Sequence, residues 1–152
     1  MNVIVTSPNG YPIQSSSSPF RYVFVVDDHP LMQTILTQVI SDQDGLKVCG
    51  VASDGKEALC KIFRTHPDLI ICDLLLPEMD GYALIRCLRI AKITAPVVVF
   101  SAMPLEEAKS ELGPIPRLYF VSKGATMEDL MAVITQALSE SRASRLDRVC
   151  SD

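Results

Sequence analysis

Apolar residues along this chain fall into runs of two alternating kinds. Short, nearly continuous stretches rich in β-branched and aromatic side chains, at 22–26, 46–52, 69–72, 97–100 and 118–121, have the length of strands. The third of these, Leu-Ile-Ile-Cys, is unbroken, which suits a strand covered on both faces. Between the strands, apolar positions recur at helical spacing: Leu31, Met32, Ile35, Leu36, Val39 and Ile40, then Ala58, Leu59, Ile62 and Phe63, then Leu84, Ile85 and Leu88. Pro30 stands where a first helical turn tolerates it, and Gly45 closes that helical region. Ser53 or Asp54 caps the second helix. A short helix over roughly 104–112 is broken by Gly113, Pro114 and Pro116. Thr126 with Asp129 three residues on opens a last helix whose apolar positions are Leu130, Val133, Ile134, Ala137 and Leu138.

The periodicity predicts one domain over 21–141. Residues 1–20, with Pro8, Asn9-Gly10, Pro12 and the run Ser15 to Ser18, read as a flexible leader despite Val3, Ile4 and Val5. From Ser139 the helical pattern decays, so 142–152 read as a polar tail or the start of a linker.

Five strands alternating with five helices predict an α/β fold, a parallel sheet wound on both faces by right-handed crossovers. Ligands of such sheets bind beyond the carboxyl ends of the strands, where strand order reverses. Strand one ends in Asp27-Asp28, strand three in Asp73, strand four in Ser101, and Lys123 follows strand five. In the flavodoxin-like order 2-1-3-4-5, strands one and three are neighbours, so three carboxylates meet at one rim.

Composition narrows what that rim serves. At 152 residues and 48% apolar content the chain can bury one core without disulfides. A formal net charge of −4, with no basic run, argues against direct nucleic-acid binding and against an acidic membrane surface. No apolar run approaches the length of a membrane span, and no basic region followed by an apolar one marks a secretion signal. Five cysteines, Cys49, Cys60, Cys72, Cys87 and Cys150, are odd in number and lack CxxC spacing, which points to reduced thiols and a cytoplasmic location.

Three carboxylates within a few ångströms repel one another unless a cation relieves them. Mg²⁺ suits a partly open acidic rim, since it binds oxygen, keeps several waters and takes one or two carboxylates plus phosphate oxygens. The spacing does not match a calcium-binding loop, and His29 and His66 have no close partners at zinc-ligand spacing. A hydroxyl (Ser101) and an ammonium (Lys123) beside the acids are the groups needed to hold an anion there. A phosphoryl group on Asp73 would share its oxygens among Mg²⁺, Lys123 and Ser101, making Asp73 the nucleophile of an aspartyl phosphate. Each residue has a plainer reading alone: Asp28 as a helix cap, Ser101 as a turn residue, Lys123 as a solvated charge. Their convergence at four strand ends favours the functional one.

These residues resemble the receiver domains of two-component response regulators, over about 21–141. The likeness is carried by VVDDHP (25–30), LIICDLLLPEMDG (69–81), VVVFSA (97–102) and SKGA (122–125). DDHPLM (27–32) resembles a subgroup whose members often carry a C-terminal helix-turn-helix domain. The resemblance implies a signalling switch that accepts a phosphoryl group from a histidine kinase or phosphotransfer protein, acetyl phosphate being a small-molecule donor, and that answers to a downstream protein partner. It implies Asp73 as phosphoacceptor, Asp28 as direct Mg²⁺ ligand, Asp27 as a second acid acting through water, and the Leu75 backbone carbonyl as third protein ligand. It further implies Ser101 as the hydroxyl that moves toward the phosphoryl group, Ala102 as the small residue leaving the site open, Lys123 as the phosphate-binding lysine and Phe120 as the switch aromatic. The domain itself would not be an enzyme beyond catalysing its own phosphorylation and dephosphorylation.

Departures from the common pattern carry expectations of their own. Gly124 follows the lysine where proline is frequent, so no cis bond is expected there. The approach to strand five reads GPIPRLYF and the fourth helix is short, which alters the usual dimer surface and leaves homodimerisation open. Tyr119 should point to the opposite side of the strand from Phe120. Leu75 and Met103, both apolar, should hinder a hydrolytic water and slow loss of the phosphoryl group.

Three other readings compete. A Mg²⁺-dependent aspartate-nucleophile phosphatase needs an acid two residues after the nucleophile, and position 75 is Leu. A flavin or nucleotide carrier needs a Gly-rich phosphate loop after strand one, where the chain has two acids. A receiver that is never phosphorylated fits poorly with a complete set of acids, hydroxyl and lysine. A free-standing receiver and the receiver half of a longer DNA-binding regulator are equally compatible with the residues.

Overall fold

A computed structural model of the protein describes residues 19–149, with side chains as far as Arg142; the leader up to Ser18 lies outside the described residues. Five strands, β1 (Arg21–Val26), β2 (Leu46–Ala52), β3 (Leu69–Cys72), β4 (Val97–Ser101) and β5 (Leu118–Ser122), alternate with five helices. These are α1 (Pro30–Ser41), α2 (Gly55–Thr65), α3 (Gly81–Ile90), α4 (Leu105–Leu112) and α5 (Met127–Val149). All strand pairs are parallel and the order is β2-β1-β3-β4-β5, as expected of the flavodoxin-like arrangement.

Side chains along each strand alternate between two apolar layers, because successive Cβ atoms point to opposite faces. Phe24, Val26, Ile70, Cys72, Val97 and Val99 pack with Ala58, Ile62, Leu84, Leu88 and Ala108 of α2, α3 and α4. Val23, Val25, Leu69, Ile71, Val98 and Phe100 pack with Leu36, Ile40, Leu130, Ile134 and Ala137 of α1 and α5. Phe120 lies against the first layer and Tyr119 against the second, so the two rings occupy opposite sides of β5 as expected.

Local signals work as the sequence suggests. Of the two cap candidates for α2, Asp54 is the cap, accepting from Glu57 N–H at 2.7 Å. Thr126 and Asp129 exchange reciprocal bonds at the start of α5. No described peptide bond is cis, in line with Gly124. Two differences stand out. β4 and β5 each extend one residue past their apolar run, because Ser101 pairs with Ser122 at the end of the ladder. Helix α5 does not fade at Ser139 but continues to Val149, through what reads as a polar tail. Once a helix is nucleated, each further residue adds a hydrogen bond at little cost, and 142–149 contain neither Gly nor Pro to stop it.

Among the described residues, Cys49, Cys60, Cys72 and Cys87 are free thiols, and no helix is long and apolar enough to cross a membrane.

Candidate functional site

The carboxyl ends of β1 and β3 lie side by side, with Val26 opposite Cys72, and this register brings Asp27, Asp28 and Asp73 to one rim. Asp73 N–H donates to Val26 O at 3.0 Å, which ties the two strand ends together where the acids emerge. Asp27 and Asp73 are buried, with 1% and 4% of their surface exposed, whereas Asp28 is half-buried. Burial of two carboxylates demands compensation. Lys123 supplies it. Its ammonium lies 2.7 Å from Asp73 Oδ2 and 2.8 Å from Asp27 Oδ2, while its own N–H is anchored to Ser101 O at 3.0 Å. Partial burial disfavours the charged lysine, but the Asp27 and Asp73 carboxylates outweigh it and hold the ammonium above the ordinary lysine range.

The second oxygen of Asp73 accepts from Leu74 N–H at 2.7 Å and, more weakly, from Leu75 N–H at 3.4 Å. The carboxylate is thereby aimed at the rim. Leu75 itself is 58% exposed, so its side chain stands over the opening. Ser101 is fully buried at the end of β4, and its hydroxyl oxygen accepts from Met103 N–H at 3.3 Å. That bond closes the turn after β4 and holds the hydroxyl at the strand end. Asp28 makes no capping bond to α1, whose N-cap is His29.

Two further residues belong to the rim, Gln33, which the sequence did not single out, and His29, which it did not place there. Gln33, one turn into α1, donates to Asp27 O at 2.5 Å and to Ser53 Oγ at 3.0 Å, joining the β1 and β2 loops. His29 corrects the expectation that it lacks partners: its Nδ1 lies 3.2 Å from Asp27 Oδ1 and 3.1 Å from Asp28 Oδ1. A short turn, closed by His29 N–H on Asp27 Oδ1 at 2.9 Å, folds the ring back over the acids. Sequence spacing does not reveal that.

One ligand atom from each of Asp27, Asp28, His29 and Asp73 lies within 4.8 Å of all the others. Asp27 Oδ2 faces the Lys123 ammonium at 2.8 Å and Asp28 Oδ1 faces His29 Nδ1 at 3.1 Å, and neither oxygen has a further partner. Hard carboxylate oxygens with unspent acceptor capacity at an open rim fit Mg²⁺.

The sequence model of the response regulator receiver domain matches residues 23–135, most of the chain. The chain belongs to this family. It is 39% identical over 87 residues to a protein-glutamate methylesterase/protein-glutamine glutaminase of Treponema denticola, a match covering 57% of this chain and 23% of the relative. A relative of the same description in Myxococcus xanthus is 42% identical over 85 residues, covering 56% and 24%. The chain thus spans about a quarter of the length of these curated relatives, and the matching part is their receiver domain.

Among solved structures, the response regulator domain of Thermotoga maritima CheB is similar at 26% identity and a TM-score of 0.67, covering 79% of this chain and 97% of that one. The receiver domain of Francisella response regulator 1452 is similar at 26% identity and a TM-score of 0.69, covering 80% and 98%. This is a receiver domain of two-component signalling, a phosphorylation-dependent switch, of a family in which phosphoaspartate and Mg²⁺ binding at an acidic pocket are general. Receivers interact with histidine kinases or phosphotransfer proteins and with downstream effectors.

Proposed function

We propose that Asp73 is the phosphoacceptor of this receiver. The observation that carries the reading is the Lys123 ammonium held between Asp73 and Asp27, a cation fixed beside the only carboxylate that ends the central strand β3. In the transfer, an Asp73 carboxylate oxygen forms a bond to phosphorus while the phosphorus–nitrogen bond of a phosphohistidine donor breaks. The departing imidazole keeps the electron pair and takes up a proton. Asp73 is oriented for this by the Leu74 and Leu75 N–H groups, and Lys123 passes from carboxylate to phosphoryl oxygens as charge gathers on them. Ser101 can donate its hydroxyl proton to a phosphoryl oxygen while still accepting from Met103.

Asp27, Asp28, Asp73 and the Leu75 carbonyl would hold Mg²⁺. When bound, the ion neutralises the acids and the transferring oxygens. Added charge at the rim then draws Ser101 inward and turns Phe120, changing the surface of α4, β5 and α5 that a protein partner or a second copy reads. Leu75 and Met103 shield the aspartyl phosphate from water, which lengthens the signal. A cytoplasmic setting follows from the phosphodonor and the free thiols.

The short coverage of the curated relatives favours a role as the controlling part of a larger regulator, whether of a methylesterase or of a helix-turn-helix domain. The phosphatase reading has no acid at position 75 to support it.

The test is intact mass after incubation with Mg²⁺ and acetyl phosphate. One phosphoryl group is expected on the wild-type chain and none on Asp73→Asn. A phosphorylated Asp73→Asn protein, or an unmodified wild type that also ignores beryllofluoride by NMR, would overturn the assignment.

A further inference from the structure

Helices α2 and α3 pack on the same face of the sheet, and their starts are tied together by Gly55 N–H, which donates to Met79 O at 3.0 Å. Glu57 and Lys61 turn toward β2, to Ser53 N–H and Val51 O, which leaves Leu59 and Phe63 on the flank toward α3. Arg86 and Arg89 turn the other way, to carbonyls at the end of α4 and before β5, which leaves Cys87 and Ile90 on the flank toward α2. From the helix starts to Phe63 and to Ile90 the rise is about 12–14 Å in each case, so the two side chains stand at one level, at the end of the sheet away from Asp73.

Phe63 is 47% exposed there and Ile90 82%. The seam around them is basic. Neither 58–67 nor 81–96 contains an acid, whereas together they carry Lys61, Arg64, Arg86, Arg89 and Lys92, in a chain of net charge −4. Lys61 pairs with Glu57 and Arg86 reaches Glu111, but Arg64 and Lys92 have no ion-pair partner among the described residues. Asp68, the first acid beyond α2, is engaged by Arg21 at 3.7 Å and by Tyr22 N–H at 2.8 Å. Helix dipoles account for cations in last turns, but not for an exposed ring and an exposed branched chain among them. Lys92 also lies in the left-handed region, at φ 62°, where glycine is the unstrained residue, so a charged side chain stands there against local strain.

We propose that the carboxyl-terminal turns of α2 and α3 dock an acidic amphipathic helix of a partner protein, its apolar side chains against Phe63 and Ile90 and its carboxylates on Arg64 and Lys92. A second copy is a poorer occupant, since an isologous contact sets the same cations against one another. A bilayer presents a broad anionic plane that a chain of net charge −4 meets with repulsion, whereas a single helix meets only the seam.

The probe is a synthetic amphipathic helix with Leu on one face and Glu on the other, and its control has Lys in place of Glu. Titrated at low salt into the whole ¹⁵N-labelled chain, the Glu peptide should shift the amide resonances of 59–66 and 83–92 and spare those of Asp73 and Lys123. Phe63→Ser and Ile90→Ser should each weaken binding about threefold. Arg64→Glu combined with Lys92→Glu should weaken it about tenfold and transfer the preference to the Lys peptide. The shift map of the wild type needs no stable variant: absent shifts, shifts centred elsewhere, or the same shifts with the Lys peptide would overturn the proposal. Two other results would overturn it as well. One is sedimentation with phosphatidylglycerol vesicles that Ile90→Ser abolishes while the Glu peptide does not bind, which assigns the seam to a membrane. The other is a dimer in ultracentrifugation that Ile90→Ser dissociates, which assigns it to a second copy.

Discussion

Lys123 is held charged by two acids at 2.7 and 2.8 Å, whereas Tyr119, four residues earlier, is held neutral. Burial, with the Glu140 carboxylate bonded to its hydroxyl, pushes the Tyr119 phenol from 10.0 up to about 12. A phenol whose folded pKa exceeds its unfolded one stabilises the fold below the unfolded value and stops doing so as pH rises through the folded value. The window is therefore pH 10 to about 12. Lys123, also raised, weakens in the same alkaline direction and is fully effective below the ordinary lysine value of 10.5. We expect Tyr119→Phe to lose stability less steeply than wild type across that window. The difference should be about 1 kcal/mol once solvent screening is allowed for. Urea unfolding at stepped pH measures it, and parallel slopes for the two proteins would refute the account. The Tyr119 pair could not be read from spacing, since it joins β5 to the fourth turn of α5.

Elements are placed by close approaches that only certain residues allow. Helix α3 begins directly beneath Asp73: a Cβ on Gly81 would lie 2.2 Å from Asp73 O and 2.7 Å from Leu74 Cα, both backbone atoms that cannot yield. Gly81 N–H meanwhile donates to Leu74 O at 2.9 Å, and Asp80 caps the helix through Ala83 N–H. Gly81→Ala should therefore cost about 1–3 kcal/mol, as overpacking does. It should also displace the backbone resonances of Asp73 and Leu74 in NMR spectra; an unchanged denaturation midpoint would contradict this. The GPIPRLYF stretch before β5 finds its explanation at the same scale. Arg89 of α3 donates to the carbonyls of Ile93, Pro116 and Arg117, and Arg86 to that of Glu111, so α3 carries the end of α4 and the following loop. Burial, with Arg117 nearby, lowers the Arg89 pKa somewhat.

Over the whole molecule, two apolar layers clasp one sheet, and the thiols report on its cooperativity. Cys72, fully buried on the central strand, and Cys49, whose thiol burial pushes up to about 11, are inert while the sheet is closed. Cys60 on α2 is exposed. Under native conditions a thiol reagent should modify Cys60 quickly and Cys72 only at the rate of global opening, since central strands open last. Peptide mapping at timed intervals checks this; equal rates for Cys60 and Cys72 would mean that the sheet opens locally.

Local patterns along the chain were enough for the strands, the helices, a cap for α2 at Ser53 or Asp54, the reciprocal bonds of Thr126 and Asp129, and the polar residues that end β1, β3, β4 and β5. Those features depend on period, propensity and turn chemistry, all written within a few consecutive residues. The Lys123 bridge was anticipated only because a parallel sheet gathers its carboxyl ends, and its distances had to await the fold. The return of His29 onto the acids, the Gln33 link to Ser53, the reach of Arg89 and Arg86 to carbonyls 25 to 28 residues away, and the run of α5 to Val149 were not legible. Contacts of that kind arise from the direction a side chain takes after the backbone has packed. Residues far apart in the chain become neighbours through the packing of the layers between them, which no local period records.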